Sequence, residues 1–182
     1  MNEEAVELGK KQLQEGLTYE QVVAFFITQT LRVVEDTMQT FKDEDAFGLV
    51  EQAKLPRMKE ELRYFFLFAL DYWWQKNPFY TQEQKRILEK VLFYRLDSLF
   101  GDDEEGRATW NALQERFITY GQVATELEQK DESLMVSDFA MKLSECCGMK
   151  YLPFAILVPT LFATAMKTVF VLKGDKRRSK RR

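Results

Sequence analysis

The chain has 182 residues, of which 46% are hydrophobic and 30% charged, with a formal net charge of −3 and no histidine. This length suits one domain with a substantial core, and the composition lacks the low hydrophobicity and charge excess of disordered proteins. The absence of histidine excludes Ser-His-Asp and Cys-His catalysis, histidine-bearing zinc sites and an imidazole pH switch.

The N-terminal part of the chain has helical periodicity, with few glycine or proline residues to interrupt it. Residues 3–14 predict a short polar helix that ends at Gly16. The sequence Thr-Tyr-Glu-Gln at 18–21 is a capping box, because the first and last side chains of such a sequence can bond each other's backbone N–H groups. It predicts the start of a long helix that reaches about Phe41.

The middle of the chain predicts two more long helices. A short segment, residues 46–54, leads to Pro56, which suits the first turn of a helix over residues 57–76. This helix is apolar nearly all round, so we expect it to lie at the centre of the fold. A second capping box, residues 81–84, predicts a helix to about Phe100.

The C-terminal half continues the helical pattern. Residues 104–129 form the clearest amphipathic stretch, and residues 131–147 predict a further helix that Gly148 ends. The acidic run 101–106 lacks the ligand spacing of a calcium-binding EF-hand loop and is interpreted as an acidic helix start. The sequence therefore predicts an all-α fold: one bundle of seven or eight mostly antiparallel helices over residues 1–172, followed by a flexible basic tail, residues 173–182.

The apolar segment 151–172 has two interpretations. A membrane span needs about 20 apolar residues, and residues 154–172 contain a single charge, Lys167. However, Pro159 limits the regular helix to 14 residues, about 21 Å, which is short of a hydrocarbon core of about 30 Å. A threonine at every fourth position and the positive-inside rule also favour a soluble core helix. A tail anchor, or peripheral membrane attachment through residues 151–182, remains as the alternative.

The basic tail is a separate candidate site. It carries a net charge of +6, which leaves −9 for the rest of the chain. Such asymmetry is typical of tails that bind polyanions or anionic membranes, although a solvated end that aids solubility has the same composition. The candidate polyanion contacts are Lys176, Arg177, Arg178, Lys180, Arg181 and Arg182. Any nucleic-acid binding would be driven by phosphate contacts and independent of base sequence.

Two charged residues lie among apolar neighbours in the predicted core. Because an unpaired buried charge is costly, Asp71 and Arg95 are predicted to form an ion pair, with Arg116 as the substitute partner. The same residues could orient an apolar ligand in an aromatic cavity. The aromatic residues that would line this cavity are Phe65, Phe68, Trp73 and Trp110.

No catalytic or metal-binding constellation is evident, and no cofactor is predicted. The acidic pair Glu60–Glu61 is interpreted as a solvated helix face, as are Glu126 and Glu128. The adjacent cysteines 146 and 147 are interpreted as buried structural thiols. The acidic N-terminus is not a secretory signal, and two adjacent cysteines make no disulfide framework, so we expect a cytoplasmic protein.

The leading hypothesis is a soluble, non-enzymatic helical protein that binds a protein partner or forms a homodimer. One alternative is a small-molecule binding or sensor domain with an aromatic cavity for an apolar ligand. A second alternative is a tail-anchored or peripheral membrane protein. The sequence indicates neither the biological process nor the identity of a ligand or partner.

Overall fold

A computed structural model describes residues 3–14, 16–43, 54–127 and 132–148. Within these ranges the chain forms six helices and one two-stranded antiparallel sheet, so the predicted all-α class is confirmed. The elements in chain order are α1 (Glu3–Lys10), β1 (Gln12–Gln14), β2 (Leu17–Thr18), α2 (Tyr19–Asp43), α3 (Leu55–Lys76), α4 (Gln82–Phe100), α5 (Glu104–Leu127) and α6 (Glu132–Cys147). The predicted segment 46–53, the apolar segment 151–172 and the basic tail lie outside the described residues, so the total of seven or eight helices stays a prediction.

The N-terminal region differs from the single helix predicted for residues 3–14. Helix α1 ends at Lys10, and the chain then forms the β1–β2 hairpin with Gly16 at a positive φ of 81°. Leu13, flanked by two glutamines, is buried in the core while Gln12 is exposed. This alternation of sides is that of a strand, and glycine provides the left-handed conformation that the turn requires.

Both predicted capping boxes are present. The Thr18 hydroxyl accepts from the Gln21 N–H (3.3 Å), and the Gln21 side chain accepts from the Thr18 N–H (3.0 Å). Thr81 and Gln84 form the same pair of bonds at 3.2 and 2.8 Å. Each box satisfies backbone donors that would otherwise be unpaired at a helix start, so α2 and α4 begin where the sequence predicts.

Helix α3 is the central helix, as its sequence predicts. It contacts α2, α4, α5 and α6, and Pro56 lies in its first turn. Its N-terminal half contributes to a first core, shared with α2, α5 and α6, whose largest members are Met58, Leu62, Phe65, Phe68, Tyr120 and Phe139. Its C-terminal half contributes to a second core, shared with the hairpin, α2, α4 and α5, whose largest members are Tyr19, Phe26, Leu67, Trp74, Leu88 and Leu92.

Candidate functional site

A buried ion pair links α3 to α5 within the first core. The Arg116 guanidinium donates to both carboxylate oxygens of Glu61, with Nε to Oε2 at 2.7 Å and Nη2 to Oε1 at 2.6 Å. Glu61 is only 4% exposed. Its hydrogen bonds raise the pKa of Arg116 above the ordinary value, because the charged guanidinium is the form that donates them.

The interpretation of Glu61 as part of a solvated helix face was therefore wrong. Glu61 follows Met58 by three residues and precedes Phe65 by four, and both neighbours are completely buried. This spacing places the three side chains on one face of α3 and was the available signal for burial. Arg116, named only as a substitute for Arg95, is the cation that Glu61 requires.

Within the described ranges of the chain, no cation forms an ion pair with Asp71. Its carboxylate oxygen Oδ1 is buried and has no hydrogen-bond partner in the described part of the chain. Burial raises the pKa of Asp71 to about 6, and the negative charge of Glu89 adds to this increase, while a hydrogen bond with Gln75 opposes it. A substantial fraction of Asp71 is therefore protonated at mildly acidic pH.

The predicted Asp71–Arg95 pair does not form, because the register of α3 against α4 separates the two residues. Lys85 donates to the backbone oxygen of Gln75 (2.5 Å), which fixes this antiparallel register. Asp71 is one turn before Gln75 on α3, and Glu89 is one turn after Lys85 on α4, so Asp71 lies near Glu89. Arg95 is six residues further along α4, about 9 Å away from Glu89. Arg95 instead forms an ion pair with Glu20 at the start of α2.

The four aromatic residues predicted to line one ligand cavity are divided between the two cores. Phe65 and Phe68 contact the Tyr120 ring in the first core, with centroid distances of 5.3 and 5.6 Å. Trp73 and Trp110 pack against the second core instead. There Trp73 contacts Tyr80 (6.4 Å) and Trp110 contacts Phe93 (6.0 Å), all by ring-to-ring packing. The structure therefore does not bring the four side chains to one ligand site.

The adjacent cysteines lie at the end of α6 near the ion pair. Cys147 is 1% exposed and Cys146 is half-buried, and both are free thiols. Burial raises the pKa of Cys147 to about 12 and also raises the pKa of Cys146. Both side chains are therefore neutral thiols near pH 7, and the thiolate needed for nucleophilic or metal-binding chemistry is scarce.

Three large apolar side chains are exposed on the hairpin, the first half of α2 and the α3–α4 turn; we call these residues, Leu17, Phe25 and Phe79, the hairpin end. Burial raises the pKa of Tyr19, which follows the hairpin, and the nearby charges of Glu83 and Tyr80 add to this increase. Phe79 is 71% exposed, and Leu17 and Phe25 are each more than 40% exposed.

The turn that carries Phe79 is held in place by a buried side chain. Asn77, 6% exposed, accepts through Oδ1 from the Phe79 N–H (3.0 Å), and its backbone oxygen accepts from the Tyr80 N–H (3.4 Å). The capping box at Thr81 follows directly. A large apolar side chain is thus presented to solvent on a well-bonded turn rather than on a loose loop. Sequence patterns gave no sign of this surface, because a Pro-Phe-Tyr turn looks the same whether its aromatic side chains point inward or outward.

A groove of about 290 Å³ runs between α5 and α6. We call it the α5–α6 groove; it is lined by Thr119, Gln122, Val123, Glu126, Asp138, Met141, Lys142 and Glu145. Lys142 donates to Glu145 at 2.9 Å, and this bond raises the pKa of Lys142. Met141 is 50% exposed, so the groove has an apolar part as well as an acidic one.

The candidate polyanion contacts from Lys176 to Arg182 lie outside the described residues. Among the residues that the structure does describe, no helix combines the length and apolarity needed to cross a membrane. The same part of the chain contains no cluster of three or more acidic or cysteine side chains able to hold a metal ion.

Comparisons of the chain with protein-family models, with curated proteins and with solved structures find no match.

Proposed function

We propose that this protein is a non-enzymatic binding protein that recognises a protein partner, or a second copy of itself, through the hairpin end. The observation that carries the proposal is Phe79, which is 71% exposed on a turn fixed by Asn77. Aromatic side chains are enriched among the residues that dominate binding energy at protein interfaces. A preorganised turn also favours tight binding, because little conformational entropy is lost when the partner binds.

Burial of this surface in an interface contributes appreciably to the free energy of binding. Fully burying a Phe side chain stabilises a complex by about 1.5–3 kcal/mol, roughly ten- to a hundredfold in affinity. Leu17 and Phe25 extend the apolar area, and the Phe25 ring contacts Phe26 (5.5 Å), which in turn contacts the buried Trp74 (5.8 Å). Phe25 is therefore connected to the second core through Phe26.

A small-molecule function receives less support from the geometry. It required one cavity that contained Asp71, Arg95 and the four named aromatic residues. Arg95 is bound to Glu20, and the aromatic rings fill two separate cores by contacting one another. No specific observation favours an apolar ligand over a protein partner.

Replacement of Phe79 by serine tests the proposal. Phe79→Ser removes the exposed ring, and Ile118→Ser is the matched control because Ile118 is 64% exposed on α5, away from the hairpin end. Native mass spectrometry of the three proteins measures self-association. Quantitative affinity capture from the producing cells, with isotope labels for each variant, measures binding of other proteins. We expect Phe79→Ser to reduce one of these interactions at least tenfold and Ile118→Ser to leave it unchanged. Equal results for the two variants would refute the proposal.

A further inference from the structure

Two acidic residues lie near each other where α3 packs on α4. Asp71 on α3 is partly exposed, while its Oδ1 is buried and has no hydrogen-bond partner among the described residues. Glu89 on α4 is exposed. Neither acid forms an ion pair within the described ranges. Because like charges repel and a partly buried carboxylate is poorly solvated, a cation bound beside these two acids would be stabilised.

The nearest basic side chains on the same two helices make other contacts. On α4, Lys85 donates to the backbone oxygen of Gln75 at 2.5 Å. On α3, the Lys76 ammonium lies over the Tyr72 ring, 5.5 Å from its centroid. The described part of the chain therefore supplies no cation that pairs with the Asp71 carboxylate.

Aromatic rings lie one helical turn away from both acids. Phe68 precedes Asp71 by three residues on α3, and Phe93 follows Glu89 by four residues on α4. The Phe117 ring on α5 contacts both of these rings, with centroid distances of 5.7 Å to Phe68 and 5.2 Å to Phe93. Phe93 and Phe117 are partly exposed, so this aromatic cluster reaches the protein surface beside the two acids.

We infer that Asp71, Glu89 and the adjacent rings bind a small aliphatic amine in its ammonium form. Ammonium N–H groups donate to carboxylates, and aromatic faces attract both the positive charge and the alkyl chain that carries it. A diamine carries one charge for each acid. The same type of contact already exists beside the site, where the Tyr72 ring, stacked on Phe68 at 5.9 Å, holds the Lys76 ammonium over its face.

Other classes of ligand fit this site less well. Two carboxylates repel an anion, and a neutral apolar molecule would leave Asp71 without a partner. Calcium and magnesium ions require more oxygen ligands than two carboxylates supply, and the described ranges contain no cluster of three or more metal-binding side chains. An amine alone uses both the charge of the acids and the aromatic rings.

A bound ammonium also offsets the cost of Asp71 to the folded protein. A partly buried carboxylate without a partner destabilises the fold, and a ligand that binds only the folded state restores stability in proportion to its concentration and affinity. The site shares no residue with the hairpin end, so it is independent of the proposed binding of a protein partner.

Calorimetric titration of the full chain with the diamine putrescine, at low ionic strength and pH 8, tests the site. We expect Asp71→Asn to weaken binding roughly tenfold or more, because it removes the partly buried charge while it keeps the shape of the side chain. Glu89→Gln removes an exposed charge and should weaken binding about two- to fivefold. Asp97→Asn, at an exposed position on α4, is the charge-matched control and should leave the affinity unchanged. Equal losses in Asp71→Asn and Asp97→Asn, or no binding to the wild type, would overturn the inference.

Related probes and an NMR readout test the chemistry and the location of the site. Butylammonium carries one charge, butanol carries none, and tetramethylammonium carries a charge without N–H donors. We expect putrescine to bind more tightly than butylammonium, and both to bind more tightly than the other two. Putrescine should also shift the signal of the Asp71 side-chain carboxyl carbon and lower the pKa of Asp71, because a nearby positive charge favours the carboxylate. Magnesium binding as tight as that of putrescine, or an Asp71 signal that does not respond while putrescine binds, would contradict the inference.

Discussion

Helix α3 carries two acidic residues, the buried Glu61 and the partly buried Asp71, that differ in how their charge is accommodated. Glu61 is 4% exposed, and two of its hydrogen bonds come from the Arg116 guanidinium at 2.6 and 2.7 Å. Asp71, ten residues later, has a buried oxygen with no hydrogen-bond partner among the described residues, and the nearby charge is that of another acid, Glu89. Glu61 is stabilised by an opposite charge, whereas burial raises the pKa of Asp71 to about 6.

The difference arises from the neighbouring helices rather than from α3 itself. Arg116 on α5 lies opposite Glu61, while the register of α3 against α4 places Glu89 near Asp71. The neighbours in the sequence do not predict this difference, because Glu61 stands between charged residues (Lys59, Glu60 and Arg63) and Asp71 stands in an apolar run. The facing residue therefore decides whether an acid on α3 is an ion-pair partner or a group that titrates near pH 6.

The largest expected effect is the loss of stability when the Glu61–Arg116 ion pair is broken. Arg116→Met leaves the Glu61 carboxylate buried without its cation, so we expect a loss of about 3–5 kcal/mol in the free energy of unfolding. Glu61→Leu combined with Arg116→Met removes both charges and should restore most of this loss, because no buried charge remains. Denaturant unfolding at pH 7 measures both values.

Arg63→Met is the matched control for that experiment. Arg63 is also on α3 and bonds Glu35 at 3.0 Å, but both side chains are about half exposed. An exposed pair of this kind contributes about 0–1 kcal/mol. If Arg116→Met costs no more than Arg63→Met, the Glu61–Arg116 pair does not have the buried character assigned to it.

The next effect concerns Asp71 and its pH dependence. Because its pKa is raised to about 6 from 3.8, the folded state binds more protons than the unfolded state between these values. The free energy of unfolding therefore falls as pH rises through this window, by up to about 3 kcal/mol. We expect Asp71→Asn to abolish this fall and to be more stable than the wild type above pH 6.

Urea denaturation at a series of pH values from 4 to 8 checks the sign. Asp97→Asn is the control, because Asp97 is an exposed acid on α4 and its replacement should leave the pH profile unchanged. This sign is the opposite of the one that an ion pair between Asp71 and Arg95 would give, because removal of one partner of a buried pair destabilises the fold. A profile for Asp71→Asn that matches the wild type would show that Asp71 is solvated.

The parts of the fold that depend on local sequence were predictable. The boxes at Thr18 and Thr81 use bonds between residues three apart, and the burial of α3 follows from its uninterrupted apolar composition. The β1–β2 hairpin was missed because three residues of alternating polarity are too short to distinguish from a helix end.

The candidate sites depend on tertiary contacts and were less predictable. The sequence identified Asp71 and Arg95 as charges in apolar surroundings and named Arg116 as a substitute partner, but it paired these residues incorrectly. Arg116 lies 55 residues from its partner Glu61, a separation that no local pattern spans. The Asp71–Arg95 pairing was open to exclusion from the sequence alone, because a short turn between antiparallel helices fixes which residues face each other. The exposure of Phe79 required the structure, since the orientation of a turn residue depends on what packs beneath it.

The smallest expected effect separates the two causes of the Asp71 shift. Burial is the larger cause and the charge of Glu89 is the smaller one. Glu89→Gln removes the exposed carboxylate near Asp71 while it leaves the burial of Asp71 unchanged. We expect the pKa of Asp71 to decrease but to stay above its ordinary value, measured by NMR titration of the side-chain carboxyl carbon. Glu83→Gln, another exposed position on α4, should leave that pKa unchanged. A return of the Asp71 pKa to its ordinary value in Glu89→Gln would show that repulsion, rather than burial, distinguishes Asp71 from Glu61.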